Sequence, residues 1–236
     1  MRNTVLFDLG NTLVRYFERS ESAAILRQGI AEVQNCLRQK NLLGIPSEDM
    51  WQNVEEENHE AKDYRVRPLE GRLVRIFQLE DSVHAEGLIM AMCRCFMKPV
   101  FARGCCYEDT IPALQRLKSE GFKTAIISNT PWGSPAVLWR EEMARLGLGE
   151  YVDRIVFCRD VGWRKPARQI FEFALEKLQA RPQHCVFVGD DPRWDLVGPR
   201  SVGIEAVLID RRGTMHDAEE TPINNLYEFF DRLRLL

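Results

Sequence analysis

Four places in this chain hold side chains that could act together on an anionic group: Asp8, Ser128 with Asn129, Lys165, and Asp190 and Asp191 with nearby Asp195. Carboxylates gathered into one confined site repel one another, so either some take up protons or a hard cation sits among them. Mg²⁺ suits such a set, because it takes oxygen ligands, keeps several waters and pairs with substrate phosphate. A lysine supplies fixed positive charge, and a serine hydroxyl with backbone N–H groups can hydrogen-bond phosphate oxygens. A carboxylate is then left to attack, forming an aspartyl-phosphate that water hydrolyses. Taken alone, each residue has a plainer reading, and Asp8 by itself reads as a strand-end Asp capping the next turn. The chemistry depends on whether the fold brings the four places together.

Each place follows an apolar stretch of strand character. Thr4–Phe7 runs into Asp8, and Gly10, Asn11 and Thr12 then break the strand. Lys123–Ile127 ends in Ser128 and Asn129, Arg154–Phe157 leads through a loop to Lys165, Cys185–Val188 ends in Gly189-Asp190-Asp191, and Glu205–Ile209 is a fifth strand. Helical spacing fills the intervals: one helix through Ile111, Leu114 and Leu117 ends at Gly121, and one opened by Ser134-Pro135 closes at Gly147. Lys165-Pro166 opens another through Ile170 and Leu178, and Thr221-Pro222 opens a last one through Leu226, Phe229 and Phe230. Strands alternating with helices predict an α/β fold, a doubly wound Rossmann-like parallel sheet covered on both faces. Parallel strands put their C-terminal ends on one edge, where the four places converge.

Between residues 15 and 106 the pattern is helical, which predicts a cap inserted into a core made of residues 1–14 and 107–236. Ser20 can cap a first helix ended by Gly44, Ser47 a second through Met50 and Val54, Leu73 to Phe77 mark a third, and a fourth starts near Ser82. The basic run Arg65, Arg67, Arg72 and Arg75 could meet an anionic substrate, but a solvated, salt-bridged face is the favoured reading.

A net charge of −3 gives no reason to expect a nucleic acid partner, and no apolar run is long enough to span a bilayer. With a strand immediately at the N-terminus, a cytoplasmic protein is expected, a monomer or homodimer acting on a small phosphorylated substrate. The seven cysteines include no CxxC pair and read as reduced, non-catalytic thiols. His59, His84, His184 and His216 have no metal-ligand spacing, and no histidine-based catalysis is legible.

The chain resembles the haloacid dehalogenase-like (HAD) superfamily over essentially its whole length and in motif order. The motifs are FDLGNTL around Asp8, IISNT ending at Thr130, GWRKPARQIF around Lys165, and VFVGDDPRWDL spanning Asp190 to Asp195. The helical insertion is similar to the cap of the subfamily whose cap falls between the first two motifs. The resemblance implies that Asp8 is the nucleophile and also a metal ligand, with Asp190 and the carbonyl of Gly10 as the other ligands. It implies that Ser128, Asn129 and Lys165 hold the transferring group. Asp191 and Asp195 stand behind them, Asp195 supporting Lys165 or a metal-bound water.

One position departs from the family's phosphatases, which usually carry a second Asp two residues after the nucleophile as general acid and base. Here it is Gly10. The expectation is a Mg²⁺-dependent phosphatase. The alternatives are a metal-independent 2-haloacid dehalogenase, a phosphonate hydrolase using a cap lysine (Lys40, Lys62 or Lys98), or a weakly active member serving as a binding or regulatory protein.

Overall fold

The computed structural model describes residues 2–59, 62–79, 86–215 and 221–235. His84, His216 and the start of a helix near Ser82 lie outside the described residues. In chain order the strands are β1 (Thr4–Phe7), β2 (Val14–Arg15), β3 (Cys105–Cys106), β4 (Lys123–Ser128), β5 (Arg154–Phe157), β6 (Cys185–Gly189) and β7 (Glu205–Leu208). Five of them form one parallel sheet in the order β5-β4-β1-β6-β7, with β1 at its centre.

All four residues of β1 are buried, and the reason is visible in their alternation. Val5 and Phe7 join Ile126, Val186 and Val188 in one apolar cluster, while Leu6 joins Ala125, Ile127 and Phe187 in another. A period of two sends successive side chains to opposite faces, so a continuous apolar run fits only a sheet covered on both sides. The second cluster is closed by α8 (Arg168–Leu178) through Ile170, Phe171 and Ala174. The first is closed by α5 (Thr110–Ser119), α6 (Ala136–Arg145) and α10 (Leu226–Leu233), and it continues into the insertion. Two one-turn helices, α7 (Cys158–Val161) and α9 (Val197–Arg200), follow β5 and precede β7.

The insertion leaves the sheet through β2 and returns through β3, which pair antiparallel as Val14↔Cys106 and Arg15↔Cys105. It holds α1 (Ser22–Gln39), α2 (Ser47–Glu57), α3 (Leu69–Phe77) and α4 (Glu86–Phe101), with α1 packed along α4. No described helix is long and apolar enough to cross a membrane. The seven cysteines are free thiols, with Cys93, Cys158 and Cys185 buried.

Several expected helix ends are displaced, each for a local reason. Ser20 falls in a 3₁₀ turn over Arg19–Glu21, fixed by Glu21 Oε2 accepting the Glu18 N–H at 2.8 Å, so α1 begins later. It stops at Gln39, ahead of Gly44, and Asn41 supplies the left-handed residue at φ 56°. Pro135, not Ser134, occupies the cap position of α6. Pro166 lies in a turn, after a cis Lys165–Pro166 bond, and α8 opens only at Arg168. Thr221-Pro222 does not open the last helix, because Ile223 is tied to the sheet edge: its N–H donates to Leu208 O at 2.9 Å and its carbonyl accepts from Asp210 N–H at 2.7 Å. Asn225 caps α10 instead, accepting the N–H groups of Tyr227 and Glu228 at 3.0 Å.

Candidate active site

The register of the sheet brings the candidate residues together. Phe7 stands level with Ile126 on one side and Val188 on the other, so Asp8, Ser128 and Asp190 emerge at adjacent strand ends. Asn11, at φ 56°, turns the chain sharply after Asp8, a conformation that asparagine tolerates better than most residues. Lys165 arrives from the loop after β5 and is held at its backbone. Its N–H donates to Asn129 Oδ1 at 2.8 Å, and Asn129 Nδ2 donates to its carbonyl at 3.2 Å. Asn129 was expected to hold an anion, but both ends of its side chain are committed to placing the lysine.

Lys165 is 1% exposed, and its Nζ donates to Asp8 Oδ1 and to Asp195 Oδ1, each at 2.6 Å. Ser128 Oγ donates to the same Asp8 Oδ1 at 3.2 Å. Asp195 is equally buried, and its second oxygen accepts the Asp191 N–H at 3.0 Å. That approach needs Gly189, where a Cβ would lie 2.4 Å from Asp195 Cγ. Asp191 lines the same cavity but is chelated by Arg193 through Oδ1 at 3.1 Å and Oδ2 at 2.7 Å. The crowded carboxylates are therefore Asp8, Asp190 and Asp195, each offering an oxygen within 4.8 Å of the others, rather than a set including Asp191.

Burial pushes the Asp190 carboxyl well above the usual range, and the charges of Asp8 and Asp195 push the same way. Burial also pushes Asp195 up, to about 6, against the opposing charge of Lys165. Burial alone would lower the Lys165 ammonium, but Asp195 and Asp8 more than offset it and hold it above its ordinary value. This all-oxygen set, with negative charge that is expensive to hold apart from a cation, fits Mg²⁺. Both oxygens of Asp195 are already engaged, by Lys165 and the Asp191 N–H, so within this cluster Asp8 and Asp190 are the carboxylates that could hold a metal.

A pH-dependent metal effect follows. Without metal, the folded protein keeps protons on Asp190 and Asp195 at pH values where the unfolded chain, with carboxylates near ~4, has released them. At these two groups the folded state then binds more protons, so in the metal-free protein their contribution to stability falls as pH rises from ~4 through about 6. Mg²⁺ requires the deprotonated carboxylates, so its stabilisation grows over the same window. Thermal denaturation should show a Mg²⁺-induced rise of about 5–10 °C near pH 7.5, with the ion at ~100 times its Kd, and a much smaller rise near pH 5. An equal or larger rise at the lower pH would contradict the ligand set.

Asp8, Ser128, Lys165 and Asp190 lie at the floor of a cavity of about 510 Å³ whose opposite wall is the insertion. Tyr64 O accepts from Arg164 N–H at 2.8 Å, and Val66 N–H donates to Gly162 O at 3.0 Å. Arg65 stacks 3.8 Å over Trp163, and Glu70 binds Arg159 at 2.7 Å. Gly133, at φ 70°, passes so close that a Cβ there would meet Arg67 O at 2.1 Å. Beside it Trp132 stacks on Phe17 at 6.1 Å and donates to Asn58 Oδ1 at 3.2 Å.

The basic run divides. Arg75 pairs with Glu57 at 2.8 Å, as a salt-bridged face would, but Arg65, Arg67 and Arg72 line the cavity, correcting the solvated-face reading for those three. His59 also lines it, a position no motif marks. Lys40, Lys62 and Lys98 do not, and Lys98 pairs with Glu32 at 3.0 Å. No cap lysine therefore reaches the cavity among the described residues.

Comparison with known proteins gives a consistent picture. Residues 3–203 match the family model described as haloacid dehalogenase-like hydrolase. The chain is 27% identical over 241 residues to a glyceraldehyde 3-phosphate phosphatase of Methanopyrus kandleri, covering 100% of this chain and 96% of that protein. It is 32% identical over 120 residues to the protein of the same name from Methanothermobacter thermautotrophicus, where the match spans 51% of each chain. A HAD phosphatase structure from Thermococcus onnurineus superposes with a TM-score of 0.66 at 26% identity, covering 99% of this chain and 98% of that one. A 2-haloacid dehalogenase structure from Pseudomonas syringae shares the fold, with a TM-score of 0.71 at 22% identity over 100% and 99% of the chains.

Proposed function

This chain belongs to the haloacid dehalogenase-like hydrolases, and from that premise we propose that it is a Mg²⁺-dependent phosphatase of small phosphorylated metabolites. Residues 1–14 and 107–236 are its catalytic core, and residues 15–106 the cap that selects the substrate. The observation that carries this reading is the convergence of Asp8, Asp190 and Asp195 around the Lys165 ammonium. A metal-independent dehalogenase has no use for three carboxylates in one small space.

Both described hydrogen bonds to Asp8 fall on Oδ1, which leaves Oδ2 to attack. It bonds to phosphorus as the ester P–O bond breaks, and the departing oxygen takes a proton from water or from the substrate itself. Water then displaces the carboxylate from phosphorus, releasing phosphate and restoring Asp8. Ser128 and Lys165 fix Asp8 and present donors to the transferring oxygens, while Asp195 holds Lys165 in place. When bound by Asp8, Asp190 and the Gly10 carbonyl, Mg²⁺ would supply positive charge against the phosphoryl oxygens. A screen of phosphorylated metabolites with Mg²⁺, scored by phosphate release, tests the reading, and no release from any of them would count against it.

Gly10 gives the reaction a specific weakness. A side-chain acid at that position is worth on the order of 10²–10⁴ in rate, and here there is none. The acidic run at the end of α2 does not replace it, since Glu55, Glu56 and Glu57 lie outside the cavity lining and Glu57 is held by Arg75. The enzyme should prefer acyl, aryl and anomeric phosphates to simple alkyl phosphates, in kcat more than in KM. A Cβ at Gly10 would have Tyr16 Cδ2 at 3.9 Å as its nearest neighbour, so Gly10→Asp has room and should speed alkyl phosphates selectively. Single-turnover rates plotted against leaving-group pKa for wild type and variant measure this. A flat wild-type plot would mean another group supplies the proton, with His59 the first to substitute.

A further inference from the structure

The cap wall of the cavity is more basic than one phosphoryl group requires. Arg65, Arg67 and Arg72 face the same space as Asp8 and Lys165, joined by Arg164 from the core. Their positions differ in what offsets the charge. Arg67 has Asp63 at 3.3 Å, and Arg65 is stacked on Trp163. Arg72 is only 8% exposed, yet its described bonding is one contact, from Nη2 to His59 O at 3.4 Å. Its buried Nε has no partner. No carboxylate lies within salt-bridge distance of it among the described residues, and Glu57, whose charge reaches it, is bound to Arg75. Burial, reinforced by the neighbouring charges of Arg164, Arg67 and Arg75, holds its pKa below the ordinary arginine value.

A buried guanidinium without a counter-charge is costly, and proteins rarely keep one unless something pairs with it. Its donors form a planar fork suited to a carboxylate or phosphate. The floor of the cavity already accounts for one anion, through Lys165, Ser128 and the carboxylate cluster that fits Mg²⁺. We propose that the substrate is a phosphate monoester bearing a second anionic group, a carboxylate or another phosphate, and that Arg72 receives that group at the cap wall. The assignment of the first anion to the Asp8 end rests on the phosphatase reading. Carboxylate and phosphate present the same chemistry to a guanidinium, and paired ligands separate them.

The test is calorimetric binding with Mg²⁺ to the Asp8→Asn protein, which cannot turn over. One pair compares 3-phosphoglycerate with glycerol 3-phosphate, and the other compares ribose 1,5-bisphosphate with ribose 5-phosphate. In at least one pair the more anionic member should bind about 10- to 100-fold tighter, the range of a charge-assisted hydrogen bond, and that pair identifies the second group. Arg72→Gln in the same protein should bring the ratio close to one. Equal affinities within both pairs would overturn the proposal, and a preference that survives Arg72→Gln would overturn the assignment to Arg72. If Arg72→Gln does not fold, Arg72→Lys, which keeps the charge but loses the fork, should reduce the ratio to an intermediate value, and an unchanged ratio counts against Arg72. Wild-type turnover separates the two readings: a retained preference with no phosphate release from any compound of the wider metabolite screen rejects the phosphatase and leaves the second-anion site standing.

Discussion

Asp8→Asn should reduce phosphate release by at least about 10³-fold, because an amide cannot form the acyl-phosphate and the site offers no second nucleophile in its place. Asp8 is buried at the floor of the cavity with one oxygen fixed by Lys165 and Ser128. Of the nearest carboxylates, Asp195 is bound at both oxygens, by Lys165 and by the Asp191 N–H, and Asp190 is the group that would hold the metal. Asparagine has nearly the shape of aspartate, so thermal denaturation should show a folded protein and separate lost chemistry from lost structure. Mass spectrometry excludes deamidation back to aspartate. Turnover above a few per cent of wild type in a verified preparation of the Asp8→Asn variant would remove Asp8 from the nucleophile's role.

Metal removal should have an effect of similar size. EDTA is expected to abolish activity and added Mg²⁺ to restore it, since without a cation the neighbouring carboxylates oppose an approaching phosphate. Asp190→Ala should stay at least about 100-fold down even at high Mg²⁺, because it removes a ligand rather than lowering the ion's concentration. The variant also relieves carboxylate crowding, so its metal-free form should be no less stable than wild type near neutral pH, which guards against misfolding as the explanation. Full activity in EDTA would turn the interpretation toward the metal-independent dehalogenase, with chloride release from 2-chloropropionate as the next assay.

Much of this organisation is legible in the sequence because it is carried by local pattern. The run Thr4–Phe7 reads as a buried strand, and its side chains divide between two apolar clusters as a doubly covered sheet requires. Asp8, Ser128 and Asp190 follow such runs, and parallel pairing leaves their ends no other place than one edge. Helix ends are less legible. Thr221-Pro222 carries every local sign of a helix start, yet the sheet edge claims Ile223, since a backbone bond to Leu208 satisfies groups the local signal cannot see.

By itself, then, the sequence determined the sheet, the helical insertion and the set of chemically capable residues, since all three follow from periodicity and from what ends each apolar run. Only the tertiary structure decided how those residues divide the work. Asp191 and Asp195 are four apart on one turn, but it is Asp195 that meets Lys165, because Gly189 leaves space for it, while Asp191 is paired with Arg193. Asn129 follows Ser128 directly, yet its amide holds the Lys165 backbone. The arginines of the insertion look alike in sequence and part company in space, Arg75 to Glu57 and Arg72 to the cavity. Hydrophobic period fixes which face of an element is buried. Which charged groups meet across the cavity is set by the closure of one unit on another, through contacts between residues about a hundred positions apart, and no local pattern encodes those distances.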